Sequence, residues 1–152
     1  MNGRALAAIA LLAAAPASAA LKPARLTPAQ IAAVKSGGAG AGTSGIVGIE
    51  SVVLAGDPTK AGLYTIEIRV PPHTRIAAHK HRDDRTSVVV SGKWYIGYGD
   101  TAADDEAQLL LPGGFYTEPA GALHFAHTKD EPAAVIVTGY GPTDTIYTAV
   151  RP

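Results

Sequence analysis

Cysteine is absent from the 152-residue sequence, and this absence removes several kinds of site at once. A chain without thiols can form neither a disulfide framework nor a lipid-modified cysteine behind a signal sequence. Any bound metal must therefore be held by nitrogen and oxygen atoms. Its ligands have to be sought among the histidines and the carboxylates.

An excess of charge of one sign is also lacking, because 13 lysines and arginines balance 13 aspartates and glutamates. A nucleic-acid-binding protein, or one held at an anionic membrane surface, usually shows a basic stripe, and none is present. We therefore expect the partner to be a small-molecule substrate or ligand rather than a nucleic acid or a membrane.

No apolar run is long enough to cross a bilayer. The run near the start covers residues 5–15, whereas a transmembrane helix needs about 20 residues. It follows Arg4 and precedes the small residues 17–19, a pattern typical of a cleavable signal. We interpret residues 1–20 as a signal peptide, which predicts a periplasmic or secreted protein. An uncleaved anchor would require this short helix to stay in lipid.

Residues 21–45 predict a short helix followed by a glycine-rich linker. The helix signals are an N-cap, a proline at the first helical position, a capping-box partner and a terminating glycine: Thr27, Pro28, Gln30 and Gly37. So short a helix is only marginally stable by itself, so it must pack against the rest of the protein or fray. The linker contains GxGxxG, but a dinucleotide site needs a strand before it and a helix after it, and here the order is reversed.

Residues 46–152 predict a single all-β domain. Short apolar or alternating runs are separated by turn residues, with no convincing helix between them. Nine segments qualify as strands: 46–55, 63–70, 75–81, 87–99 with a turn at 91–92, 107–111, 114–118, 122–128, 133–139 and 144–150. So many strands without helices predict an antiparallel sandwich or barrel.

Three histidines are the main candidates for chemistry. His79 and His81 are two residues apart on an extended segment, so both point to the same face, and His124 follows 43 residues later. Neutral imidazole is the commonest metal ligand in proteins. Three imidazoles with an open coordination position are typical of a catalytic site rather than a closed structural one.

Two sequence stretches resemble the motifs of the cupins. HKHRDDRTSVVVSG resembles the first motif, in which His-x-His precedes a glutamate and a glycine. GGFYTEPAGALHFAHT resembles the second, with its pattern residues at Gly113, Pro119, Gly121 and His124, although Thr128 replaces the usual final asparagine. The likeness extends to short secreted bacterial cupins with HRDDR and EPAG segments. It implies a double-stranded β-helix, a jelly-roll barrel with a metal inside.

The resemblance also implies a set of ligands for a divalent transition metal, which could be Fe, Mn, Zn or Ni. The implied ligands are His79, His81 and His124. The motif's glutamate is missing, because Arg85 stands at its position. A one-residue shift would not simply bring in Asp84, since neighbours on a strand face opposite sides. A bulge or loop could still turn Asp83 or Asp84 inward.

Arg85 and Glu118 are the candidate catalytic residues. A guanidinium ~6 Å from a divalent cation would be repelled by about 5 kcal/mol at an effective dielectric of 20, so Arg85 must turn outward or find an anion. Glu118 could pair with it, act as a fourth ligand or occupy a solvated rim. Arg85 could also bind a substrate carboxylate or enolate. Alternatively, it forms a loop salt bridge with Asp83 or Asp84.

The remaining histidines have weaker signals. His73 lies in a turn and is expected to be exposed. His127 is three residues from His124, so it should face the other side of its strand and be structural or exposed. By the same alternation, Phe125 should lie opposite His124.

Three functional hypotheses follow. The first is a metal-dependent enzyme acting on a small, anionic organic substrate: dioxygenase-like with iron, an isomerase or hydrolase with zinc or manganese. The second is a cupin that binds a metal or small molecule without turnover. The third is a structural cupin without metal, which requires histidines too far apart to share an ion. Open edge strands also favour a homodimer.

Overall fold

The structure, a computed structural model, describes residues 20–38 and 40–148. The predicted signal peptide lies outside the described residues except for Ala20, as does the end of the last predicted strand. Within the described ranges, none of the helices has the length and apolar character that a membrane span requires.

The chain is mainly β-strand, as predicted. Among residues 20–38 and 40–148, one α-helix, α1 (Pro28–Ala33), precedes the strands, and one 3₁₀ turn (Asp104–Glu106) interrupts them. The part of the chain that the structure describes has ten strands: β1 (Glu50–Ala55), β2 (Gly62–Val70), β3 (Arg75–Lys80), β4 (Arg85–Gly92), β5 (Trp94–Tyr98), β6 (Gln108–Leu110), β7 (Phe115–Glu118), β8 (His124–His127), β9 (Ala133–Gly141) and β10 (Ile146–Tyr147).

Two five-stranded antiparallel sheets form the two walls of the domain. Their strand orders are β1-β2-β9-β4-β7 and β10-β3-β8-β5-β6. Many neighbours within a sheet are far apart in sequence, as in a jelly roll. Along β2 and β9, alternate side chains point inward and pack with those of the opposite sheet. The resulting core includes Tyr64, Ile66, Val70, Val89, Trp94, Ile96, Val135 and Val137.

The predicted break inside segment 87–99 is confirmed, with β4 ending at Gly92 and β5 starting at Trp94. Gly92 has a positive φ of 73°, and a Cβ there would collide with the carbonyl oxygen of Pro132. Only glycine satisfies both conditions at low cost. The strand β4 starts at Arg85, two residues earlier than predicted, so Arg85 belongs to the sheet rather than to a loop.

Helix α1 has the predicted capping box. The backbone N of Thr27 donates to Gln30 Oε1 at 2.8 Å, and the backbone N of Gln30 donates to Thr27 Oγ1 at 3.3 Å. The helix ends at Ala33, however, well before the predicted stop at Gly37. That glycine instead pairs with Ser51 of β1, so its backbone is already bonded to the sheet.

Residues 40–45, here called the strap, pack against the barrel, unlike the flexible linker that their composition predicts. Thr43 and Ser44 are buried. The Thr145 hydroxyl donates to the Thr43 carbonyl at 2.7 Å, and the Tyr147 hydroxyl donates to the Ser44 carbonyl. These bonds tie the strap to the region of β10, about 100 residues later in the chain.

Candidate metal centre

The three predicted ligands lie together inside the barrel. His79 on β3 and His124 on β8 are cross-strand partners, and His81 follows directly after β3. One side-chain nitrogen from each ring lies within 4.8 Å of those of the other two, and all three residues are buried. The hypothesis of histidines too far apart to share an ion is therefore wrong.

All three rings are oriented by backbone carbonyls. In each ring the Nδ1 atom donates a hydrogen bond to a backbone carbonyl. The acceptor is the carbonyl of Ala77 for His79, of Asp144 for His81 and of Ala122 for His124. A carbonyl can only accept, so each Nδ1 carries the proton and each Nε2 keeps its lone pair. The Nε2 atoms of His81 and His124 have no hydrogen-bond partner among the described residues. This donor set fits a transition metal.

Burial keeps the three rings neutral. Desolvation, helped by the neighbouring His124, lowers the pKa of His79 to about 4. Desolvation and the charge of Arg85 lower the pKa of His81 to about 2, and desolvation lowers the pKa of His124 to about 4. At neutral pH the imidazoles are unprotonated, which is the form that binds a metal.

Arg85 and Glu118 form an ion pair beside the histidines. They are cross-strand partners on β4 and β7, and Arg85 Nε lies 2.8 Å from Glu118 Oε2. The angles are not those of a hydrogen bond, so the contact is one of charges. Both side chains are buried, at 3% and 6% exposure, which excludes the solvated rim position for Glu118.

Glu118 also approaches two of the histidines. Its Oε2 atom is 3.6 Å from the Nε2 atoms of both His81 and His124, which is too long for a hydrogen bond. Two atoms that each lie about 2.1 Å from one ion with tetrahedral geometry are separated by about 3.4 Å. The carboxylate is therefore close enough to share an ion with these rings while it offsets the charge of Arg85.

The two aspartates that might have replaced the missing glutamate are engaged elsewhere. Asp83 is buried and accepts hydrogen bonds from the hydroxyls of Tyr64 at 2.8 Å and Thr143 at 2.6 Å. Asp84 accepts from the backbone N of Ala120 at 2.8 Å. Neither carboxylate pairs with Arg85, so the predicted loop salt bridge is wrong. The predictions missed these contacts because no local pattern links Asp83 to a hydroxyl 60 residues away.

The other predicted orientations agree with the structure. His73 is an exposed turn residue with a positive φ of 54°. His127 is buried away from the other histidines, with its ring stacked on Tyr95 at 4.8 Å between centroids. Phe125 packs with Ala78 in a separate cluster, not with the barrel core. Alternation along β8 thus separates these side chains from His124.

The space around the histidines is small. The cavity has a volume of about 20 Å³, room for about one water molecule, and the strap residues Gly42 and Ser44 form part of its wall. A much larger groove of about 650 Å³ lies under helix α1, on the outer face of the first sheet, and none of the three histidines lines it. Among the described residues, buried ligand atoms converge only at the small cavity, so the small cavity is the candidate site for chemistry.

Comparison with solved structures decides the fold. An RmlC-like cupin from Shewanella frigidimarina is 17% identical, with 79% of this chain and 92% of that chain covered and a TM-score of 0.57. The chain has the cupin fold. A structure described as a DMSP lyase is 20% identical over 66% of this chain, with a TM-score of 0.56. The match covers 53% of that lyase, so this chain corresponds to about half its length.

A third cupin structure is described as a sugar phosphate isomerase from Silicibacter pomeroyi. It is 22% identical over 68% of this chain and 67% of its own, with a TM-score of 0.52. No protein-family model and no curated protein matches the sequence. These likenesses confirm the fold that the two motifs predicted.

The two motif stretches are joined by a backbone contact in this cupin barrel. The backbone N of Gly121 donates to the carbonyl of His81 at 2.8 Å, and Gly121 has a positive φ of 76°. Thr128, in the position of the usual asparagine, accepts from the backbone N of Thr74 at 3.0 Å and donates to the Pro71 carbonyl at 2.6 Å. The threonine thus ties β8 to the turn before β3.

Proposed function

We propose that the protein is a periplasmic or secreted metal-dependent enzyme that acts on a small anionic organic molecule. The metal ligands in this proposal are His79, His81 and His124, and the ion is Fe, Mn, Zn or Ni. The observation that carries the proposal is the convergence of three buried, neutral imidazoles whose Nε2 lone pairs are free. A bound ion would supply Lewis-acid chemistry or, if it is iron, activation of oxygen.

The charges around the cluster favour an anionic substrate. Glu118 and Arg85 cancel one another, and the three imidazoles are neutral, so a divalent ion would keep its double positive charge. The Nη1 atom of Arg85 has no hydrogen-bond partner among the described residues. It could donate to a substrate carboxylate or enolate oxygen. In this proposal Arg85 orients the substrate and Glu118 holds Arg85 in place.

The fold does not identify the reaction that the protein catalyses in this proposal. The solved cupins that resemble this chain include proteins described as a lyase and as an isomerase, and one fold can host many chemistries. A dioxygenase-like reaction requires iron, whereas isomerisation or hydrolysis is compatible with zinc or manganese. The native metal therefore distinguishes oxidative from non-oxidative chemistry.

The first experiment is elemental analysis of protein purified without added metal. We expect about one equivalent of a transition metal in the wild type and its loss in a His79→Ala/His124→Ala variant. His73→Ala is the matched control, because His73 is exposed in a turn. Full metal retention in the double variant would contradict the assignment of His79 and His124 as metal ligands.

Metal binding without turnover is the second candidate, and the small cavity favours it. A space of about 20 Å³ cannot hold an organic substrate unless the wall moves. Incubation of the metal-loaded protein with a panel of small carboxylates and enols, with and without oxygen, separates the candidates. Product formation at many turnovers supports the enzyme. Retention of the metal without any product supports metal binding without turnover.

A further inference from the structure

Residues 143–147, here called the clasp, connect one histidine to the rest of the barrel. The carbonyl of Asp144 accepts the Nδ1–H bond of His81. Beyond it, β10 pairs with β3, with Tyr147 opposite His79. The orientation of the His81 ring therefore depends on a carbonyl that lies 63 residues later in the chain.

Asp83 holds the clasp in place from inside the barrel. Its Oδ1 atom accepts from the Thr143 hydroxyl at 2.6 Å, and its Oδ2 atom accepts from the Tyr64 hydroxyl at 2.8 Å. A Cβ added to Gly139 would lie only 2.6 Å from both Asp83 Oδ2 and the Tyr64 hydroxyl, so the space around the network is tightly filled. A buried carboxylate with both oxygens bonded has little freedom to move.

We propose that Asp83 and Thr143 are positioning residues for His81, acting through the carbonyl of Asp144. The inference rests on the proposed role of His81 as a metal ligand. A carbonyl fixed in place sets both the tautomer and the direction of the ring that donates to it. Such outer partners of a metal-bound histidine commonly change metal affinity by about 10- to 100-fold when they are lost.

Contacts that do not involve the Thr143 hydroxyl also hold the clasp in place. The backbone N of Thr143 donates to the Pro58 carbonyl at 2.9 Å. From outside, Arg82 holds the Asp144 carboxylate through its backbone N and its Nε, each at 2.9 Å. Loss of the Thr143 hydroxyl should therefore loosen the clasp without releasing it. We expect an effect near the lower end of that range, roughly tenfold.

The experiment compares Thr143→Val, which removes the hydroxyl but keeps the shape, with Thr143→Ser, which restores a hydroxyl. In metal-free protein, ¹⁵N NMR of the histidine side chains should show His81 as a single Nδ1–H tautomer in the wild type. The valine variant should show a mixture of tautomers, and the serine variant should recover the wild-type signal. Zinc affinity, measured by chelator competition, should fall roughly tenfold in the valine variant and recover in the serine variant.

Thr138→Val is the matched control, because it removes a hydroxyl that contacts Thr65 at 3.0 Å in the first sheet. An unchanged tautomer and affinity in Thr143→Val overturns the positioning role, and so does an equal change in the control. Asp83→Asn is the second variant if the valine variant does not fold, and it should disturb the same His81 signal. A wild type that binds no metal refutes the proposed function instead, while the metal-free NMR measurement still decides the positioning role.

Discussion

Arg85 and Glu118 face one another across β4 and β7, with Arg85 Nε 2.8 Å from Glu118 Oε2 inside the barrel. The cupin resemblance predicts a glutamate at the position of Arg85 on β4. In this protein the carboxylate beside the histidines is instead that of Glu118, on the neighbouring strand β7. The exchange keeps a carboxylate beside the histidines and adds a guanidinium. Net charge at the cluster is therefore zero rather than negative, so a bound cation, if present as proposed, would keep its charge and attract an anion.

Replacing one partner of the ion pair should lower the free energy of unfolding more than replacing both partners together. Glu118→Leu leaves a buried, unpaired guanidinium and should lower the free energy of unfolding by about 3–5 kcal/mol. Arg85→Met should lower the free energy of unfolding by a similar amount, because it leaves the Glu118 carboxylate buried and unpaired. The double variant should lose less than either single variant, because neither charge then remains buried. Urea denaturation of the metal-free proteins measures all three.

An exposed pair supplies the control for that series. Lys93 and Glu131 are 2.8 Å apart, with about half of each side chain in solvent. Glu131→Ala should change stability by less than about 1 kcal/mol. If the loss in the double variant equals the sum of the two single losses, the buried charges do not interact as described.

Glu118→Gln should weaken metal binding. The substitution keeps the shape of the side chain but removes the negative charge whose Oε2 atom lies 3.6 Å from His81 Nε2, and it leaves Arg85 uncompensated. We expect a loss of roughly tenfold or more in affinity, by competition with a chromophoric chelator. Asp130→Asn, at an almost fully exposed carboxylate, is the control and should bind as the wild type does. Equal affinities for Glu118→Gln and wild type would contradict this role.

The strap should limit access to the histidines. Gly42 has a positive φ of 86°, and a Cβ there would lie 2.6 Å from Ile66 Cδ1. Gly42→Ala should strain the closed strap by about 1–2 kcal/mol, which corresponds to roughly a tenfold shift towards opening. Stopped-flow removal of metal by a chelator should become faster by a similar factor, and amide exchange in residues 40–45 should rise.

Gly40→Ala is the comparison for the strap experiment. A Cβ at Gly40 would meet its nearest atom, the Gly38 carbonyl oxygen, at an ordinary distance of 3.7 Å. Its rate of metal removal should therefore match the wild type. Identical rates for Gly42→Ala and Gly40→Ala would show that ligands reach the site by another route.

Stability should depend on the Tyr64 hydroxyl at high pH. Burial, together with Asp83, raises the pKa of Tyr64 from 10.0 to about 12, although Arg85 opposes the shift. The folded state thus keeps a proton that the unfolded state loses, so this contribution is complete below pH 10 and disappears as pH rises through about 12. Tyr64→Phe should flatten the fall in unfolding free energy between these pH values. Tyr140→Phe, at an exposed tyrosine, should leave the curve unchanged; parallel curves for Tyr64→Phe and wild type would refute the assignment.

Much of the site could be predicted from local patterns. Alternation along a strand predicted that His79 and His81 share a face and that Phe125 and His127 turn away from His124, and the structure agrees. The turn residues between the predicted segments 114–118 and 122–128 predicted the break that carries Gly121 between β7 and β8. The signal peptide and the homodimer remain predictions, which N-terminal mass determination and light scattering would test.

Composition was a poor guide to the strap. Glycine-rich segments are usually flexible linkers, yet Thr43 and Ser44 are buried because Thr145 and Tyr147 donate to their carbonyls. The same glycines that indicate flexibility also allow a chain to lie close to a packed wall, as Gly42 does against Ile66. Composition cannot distinguish the two uses.

By itself, the sequence determined which face of a strand each side chain takes, because side-chain direction in a strand depends only on local spacing. It also located the turns between strands and named the three histidines as candidate ligands. Tertiary structure decided which partner each charged group takes. Arg85 pairs with Glu118 rather than the adjacent Asp84, and Asp83 bonds to hydroxyls rather than facing the histidines. The strength of a buried charge contact depends on distance and desolvation, and both are settled only when strands distant in sequence come together.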